Sequence, residues 1–90
     1  MMDDLYLEAH KLIINMEVGQ TIGPITCEKR SKNKIYLTNG ITITFKPLKE
    51  GVFYLTTNKK VRSGRRSYDY IDTILRDVEG FLLYKIHSRA

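Results

Sequence analysis

The sequence of 90 residues has few of the side chains that form covalent cross-links or bind metals. Cys27 is the only cysteine, which excludes an internal disulfide and a four-thiolate zinc site. The two histidines, His10 and His87, lie near opposite ends of the chain, and no carboxylates have the spacing of a calcium loop. We therefore predict no metal. A lone thiol is typical of a reducing compartment, so we expect a cytoplasmic location.

Long apolar runs and glycine-rich loops are also missing. No apolar stretch approaches the roughly 18 residues that a membrane span needs. The start, Met1-Met2-Asp3-Asp4, is acidic where a secretory signal would be basic. Neither standard glycine-rich phosphate loop is present. We expect no membrane partner, no signal peptide and no cofactor.

The positive charge is concentrated in the middle of the chain. The net charge of the chain is +5. Residues 29–66 hold eleven of the fifteen lysines and arginines and a single carboxylate, Glu50. Residues 1–28 are acidic instead. Uncompensated cations repel one another, so their concentration in one stretch indicates an anionic partner, and phosphate is the commonest.

The apolar pattern changes from helical to extended along the first half of the sequence. Apolar residues spaced three and four apart predict a helix over about 3–17, which Gly19 and Gly23-Pro24 end. Alternation then predicts a strand over 25–30 and a β-hairpin over 35–45 around Asn39-Gly40.

The register of this hairpin follows from its apolar residues. A two-residue loop would place Tyr36 opposite Ile43 and divide the apolar side chains between both faces. A three-residue loop, with Gly40 left-handed, pairs Leu37 with Ile41 and Ile35 with Ile43. We predict the three-residue loop, which leaves Tyr36, Thr42 and Thr44 on the opposite face.

The second half of the chain continues the sheet and then returns to helix. Pro47 predicts that residues 46–51 are a connection rather than a strand, and 52–57 is the next β-prone run. Residues 58–66 lack apolar periodicity, and Ser67 is a candidate cap for a last helix. Gly80 permits either a helix end followed by a strand over 81–86 or one continuous helix, and we prefer the continuous helix.

These elements predict a small α+β domain over residues 1–90. The order is α-β-β-β-α. The strands form an antiparallel meander with two helices on one face, and the other face is free to meet a partner. The oligomeric state is left open.

Two groups of residues are candidates for nucleic-acid binding. The first precedes the last helix, whose N-terminal N–H groups also favour anions; it consists of Lys59, Lys60, Arg62, Arg65 and Arg66. The second lies on the hairpin, where Tyr36 is placed to stack a base and Lys34 and Lys46 to hold the backbone. Solvated cations and ordinary strand-forming residues are the alternative explanation.

We therefore predict a basic module that binds RNA or DNA mainly through phosphate contacts. The alternative is a protein-interaction module, such as a small inhibitor or adaptor of the kind encoded by mobile elements, whose basic surface occupies an acidic or nucleic-acid-binding site on a larger protein. A ribonuclease-like toxin is a third possibility, but no general base lies near the arginines. We predict no enzyme activity and no catalytic residue.

Overall fold

The computed structural model describes the backbone of residues 2–49 and 52–88. Side chains are described for 5–49 and 53–85. Within these ranges the chain forms two helices and seven strands. In chain order they are α1 (Met2–Ile14), β1 (Thr21–Ile22), β2 (Ile25–Arg30), β3 (Lys34–Leu37), β4 (Thr42–Lys49), β5 (Val52–Thr57), β6 (Lys60–Ser63), β7 (Arg66–Asp69) and α2 (Ile71–Ser88).

Five of the strands form an antiparallel meander. Strands β1 to β5 lie side by side in chain order, whereas β6 and β7 form a separate two-stranded hairpin. Helices α1 and α2 pack against each other and contribute to the same core as the inward side chains of the sheet. The predicted α+β fold, with a meander and the helices on one face, is confirmed. The short strand β1 and the β6–β7 hairpin are additions to the predicted order.

The core lies between the helices and one face of the sheet. Alternate residues of β2 to β5 point into it, and α1 and α2 supply the covering side chains. Cys27 is 1% exposed and belongs to this core, as expected of a small apolar side chain. The helix residues buried here are Ala9, Ile13, Ile71, Ile74, Leu75 and Val78.

The β3–β4 hairpin has the predicted register. Ile35 pairs with Ile43, and the N–H group of Leu37 donates to the carbonyl of Ile41 at 2.8 Å. Gly40 has a φ of +86°, the left-handed conformation that the three-residue loop requires. The alternation of apolar side chains is therefore sufficient to select this loop over the two-residue turn.

The prediction that residues 46–51 form a connection is wrong for residues 46–49, and residues 50–51 lie outside the described backbone. Strand β4 continues through Pro47, which pairs with Phe53. The Phe45 N–H donates to Asn33, just before β3 begins, so the nitrogen of Pro47, two residues further, points to the same side. No strand of the described chain lies there, because β3 begins at Lys34. The missing N–H of Pro47 therefore costs the ladder nothing.

Helix α1 ends at Ile14, three residues before the predicted end. The guanidinium of Arg30 donates a 2.8 Å hydrogen bond to the Met16 carbonyl, and its Cζ atom lies 5.6 Å from the centroid of the Phe45 ring. Arg30 therefore satisfies a carbonyl just beyond the helix that another helical turn would otherwise have bonded. The apolar pattern extends to Met16 because that side chain is still buried.

The predicted helix start at Ser67 is also wrong. Residues 60–69 form the β6–β7 hairpin, in which Ser67 pairs with Arg62, and α2 begins at Ile71. The first turn of α2 is capped by Asp69, whose carboxylate accepts a 2.9 Å hydrogen bond from the Ile71 N–H. From Ile71 the helix runs without interruption through Gly80, so the preference for one helix over a terminal strand is confirmed.

Candidate nucleic-acid interface

The face of the sheet that points away from the helices carries tyrosines, lysines and threonines. The strand pairs on this outer face join Lys29 with Tyr36, Lys34 with Thr44, and Lys46 with Tyr54. Thr42 lies opposite Tyr36, and Thr56 lies opposite Thr44. None of these paired positions holds a carboxylate. We refer to this set of eight residues as the basic-aromatic face.

All three hairpin residues selected from the sequence lie on the basic-aromatic face. Lys34 and Tyr36 are half-buried neighbours on β3, and Lys46 is exposed on β4. Thr42, which pairs with Tyr36, is four residues from Lys46 along β4, a separation of about 14 Å at the usual rise of a strand. Tyr36 and Lys46 thus lie on one surface, but they are too far apart to contact the same nucleotide.

Sequence reasoning missed Tyr54 and Lys29. Tyr54 is 53% exposed and stands opposite Lys46, about two strand spacings, or roughly 10 Å, from β3. Lys29 lies with its Nζ atom 5.7 Å from the centroid of the Tyr36 ring, which places a cation beside the aromatic face. The sequence did carry a signal for Tyr54: it precedes Leu55 in a strand, so if Leu55 is buried, Tyr54 points to the outer face. No local signal places Lys29 here, because a bulge between Cys27 and Lys29 shifts the register of β2.

The predicted group that precedes the last helix lies on the β6–β7 hairpin, with Lys59 just before it. Arg62, Arg65 and Arg66 are exposed at or near its turn, where Gly64 has a φ of +64°. Across residues 5–49 and 53–85 no carboxylate forms an ion pair with these three arginines. Over this part of the chain, phosphate can therefore bind these guanidinium groups without displacing an ion pair.

The two lysines of this group are engaged within the protein. The Lys59 ammonium lies 4.6 Å from the centroid of the Tyr70 ring. The Lys60 ammonium forms a 3.5 Å ion pair with Asp69. Of the five cations, the three arginines are thus the better candidates for phosphate contacts.

Asp69 occupies the position that was predicted to attract an external anion. Its carboxylate accepts hydrogen bonds from the Thr57 hydroxyl at 2.7 Å and from the N–H groups of Thr57 and Ile71 at 3.0 and 2.9 Å. Partial burial by itself raises the pKa of Asp69, but these hydrogen bonds and the charge of Lys60 outweigh it and hold the pKa below its ordinary value. The N-terminus of α2 is therefore neutralised by the protein itself.

A groove of about 800 Å³ adjoins the basic-aromatic face at β5, where Tyr54 and Thr56 belong to both, and lies between α1, β5, the β6–β7 hairpin and the start of α2. Its wall on α1 includes Tyr6, Leu7 and His10, and the rings of Tyr6 and His10 are in contact at a centroid distance of 4.4 Å. Two lysines and two carboxylates line it as well; they are Lys11, Lys60, Asp69 and Asp72. This balance of charges distinguishes the groove from the basic-aromatic face.

Two further observations concern metals and membranes. Over the described residues, no three histidine, cysteine, aspartate or glutamate side chains come close enough together to hold a metal ion. Neither helix, over the part of the chain described, combines the length and apolar character that a membrane crossing requires.

The chain matches no protein-family model, and neither a curated protein nor a solved structure shows significant similarity to it.

Proposed function

We propose that this protein binds single-stranded nucleic acid on its basic-aromatic face. The observation that carries the proposal is the composition of this face: Tyr36 and Tyr54 alternate with Lys29, Lys34 and Lys46, and the paired positions lack carboxylates. Lysines there neutralise phosphates, and tyrosine rings stack on bases.

The presence of two tyrosines on one sheet face favours an unpaired strand as the ligand. The bases of a duplex are stacked on one another, so a flat protein surface does not reach their ring faces. A single strand exposes those ring faces, and stacking on tyrosine tolerates any base. The proposal therefore includes weak sequence preference and the use of either RNA or DNA.

The β6–β7 hairpin supplies additional phosphate contacts in this proposal. It follows β5 after only Asn58 and Lys59, and its three arginines have no internal ion pair in the described chain. Arginine binds phosphate through two parallel N–H groups, so these side chains position the strand more firmly than lysines do.

Fluorescence anisotropy with labelled oligonucleotides tests the proposal. Single- and double-stranded RNA and DNA are titrated between about 50 mM and about 200 mM salt. With six phosphate contacts, log affinity should fall with log salt at a slope of about −4 for a single strand and about −5 for a duplex. We expect tighter binding of the single strand with a steep slope.

A charge-matched pair of variants separates a site from general attraction. The triple variant R62A/R65A/R66A removes three cations from the hairpin, and K11A/R76A/K85A removes three from the helices. We expect the hairpin variant to bind more weakly and to reduce the slope by about two to three, and the helix variant to stay near wild type. Equal losses in both variants, or no binding at low salt, would contradict the proposal, and the second result would point to an acidic protein partner.

A further inference from the structure

The outer edge of β5 is open and lies at the floor of the 800 Å³ groove. In an antiparallel ladder, the N–H and C=O groups of successive residues point alternately to one neighbouring strand and to the other. The Asn58 N–H donates to Thr42 on the β4 side, so Thr56 and Tyr54 also point toward β4. Phe53, Leu55 and Thr57 consequently point their backbone groups away from the sheet.

Thr57 shows directly that this edge donates outward. Its N–H is bonded to the Asp69 carboxylate, on the side of β5 that faces away from β4. Within residues 5–49 and 53–85, no hydrogen bond joins the outward groups of Phe53 and Leu55 to another element. The Leu55 side chain belongs to the core, and Phe53 and Leu55 both line the groove. Two residues thus have backbone groups that gain from a new partner.

We propose that the groove binds an extended peptide segment of a partner protein as a sixth strand beside β5. A strand added to an edge takes its affinity from main-chain hydrogen bonds and its specificity from alternate side chains. On the helix side, the groove presents Leu7, Ile14 and Leu75 to one set of those side chains. The peptide therefore has apolar residues at alternate positions.

The charges and shape of the groove favour this occupant over the alternatives. The two lysines that line it are matched by two carboxylates, which disfavours nucleic acid there. A second copy of the chain would have to bring its own β5 edge to about 4.8 Å, but both edges would be recessed behind α1 and the β6–β7 hairpin. A single extended segment has no such obstruction. It needs only the edge from Phe53 to Leu55, about 7 Å, because the Thr57 N–H is already bonded to Asp69.

The probe is a peptide of about eight residues, selected by the full-length protein from a phage-displayed library and synthesised with a fluorophore. A second version carries N-methyl groups on alternate amides, which removes the donors of one edge but keeps every side chain. Because strand addition depends on those donors, we expect the peptide methylated on the amides that face β5 to bind at least about tenfold more weakly than the unmethylated peptide. A peptide methylated instead on the alternate amides, which face solvent, should bind as tightly as the unmethylated peptide.

Two substitutions of equal charge test the location. Leu7→Asp lies in the groove and Val18→Asp outside it, and both side chains are exposed, at 55% and 64%, so the fold should tolerate either change. We expect L7D to lose most peptide binding and V18D to keep it. Equal binding by the two variants would overturn the proposal.

Amide hydrogen exchange supplies a readout that a merely apolar groove would not give. With the peptide bound, the amides of Phe53 and Leu55 should become protected, while those of Tyr54 and Thr56, already bonded to β4, should change little. Selection of no peptide, equal protection along β5, or a dimer that forms through this edge in sedimentation would each refute a peptide strand in the groove.

Discussion

The Thr57 hydroxyl, at the end of β5, donates a 2.7 Å hydrogen bond to the carboxylate of Asp69, at the end of β7. The same carboxylate accepts the Ile71 N–H and pairs with Lys60, so one side chain joins the sheet, the hairpin and the start of α2. A hydrogen bond to a charged group contributes about 1.5 to 3 kcal/mol. Asp69 therefore holds the β6–β7 hairpin and α2 in place.

Replacement of Asp69 by alanine should lower the free energy of unfolding by about 2 to 4 kcal/mol, because the helix cap and the bonds to Thr57 are lost together. Urea unfolding measures the change. Asp77→Ala, at an exposed position of α2, is the control and should stay within about 0.5 kcal/mol of wild type. Equal effects of the two substitutions would show that Asp69 is not a structural junction.

The stabilisation by Asp69 should disappear in acid. Its pKa in the folded protein lies below its ordinary value, whereas the unfolded chain has a pKa of about 3.9. The contribution is therefore complete above about pH 4 to 5 and is lost as the pH falls through the folded-state pKa. The difference in unfolding free energy between wild type and Asp69→Asn, measured from about pH 6 down to about pH 2, should shrink toward zero. A constant difference would contradict this.

Gly80→Ala should stabilise the protein by about 0.5 to 1 kcal/mol. Gly80 lies within α2, and a Cβ atom added there meets no other atom within 4 Å. Alanine has the higher helix propensity and less backbone entropy to lose. Thermal unfolding should show a higher midpoint, and a lower one would indicate that a neighbour needs the space.

Gly40→Ala should have the opposite effect, although its added Cβ atom also meets nothing within 4 Å. The φ of +86° is unfavourable for alanine, so we expect a loss of about 1 to 2 kcal/mol in urea unfolding. Since space is equal at both glycines, the difference in sign isolates backbone conformation. A neutral result would mean that the β3–β4 loop rearranges at little cost.

Tyr54→Ala should weaken binding of single-stranded oligonucleotides by about 5- to 150-fold, as expected for the loss of one stacked base at about 1 to 3 kcal/mol. The salt slope should not change, because no phosphate contact is removed. Tyr84→Ala, on α2 and 72% exposed, is the matched control and should bind like wild type. Similar losses in both variants, measured by anisotropy, would exclude Tyr54 as a stacking residue.

The candidate interface could be derived from the sequence only in part. Alternation around Asn39-Gly40 correctly grouped Tyr36 with Thr42 and Thr44, since a one-residue slip would bury those polar groups. Tyr54 and Lys29 join that face through pairings of β5 with β4 and of β2 with β3, and a bulge alters the second pairing. Cross-strand pairing between distant segments has no local signature.

Local sequence patterns predicted the meander, the β3–β4 register and the continuous last helix, because apolar period and turn chemistry act over a few residues. Tertiary structure decided the remainder. Pro47 stays in a strand because β3 begins at Lys34 and, within the described residues, no neighbouring strand lies opposite the Pro47 nitrogen. Asp69, rather than Ser67, caps α2 because Thr57 and Lys60 both bond to its carboxylate. Each of these outcomes depends on a partner that only folding brings near, and local propensity does not encode it.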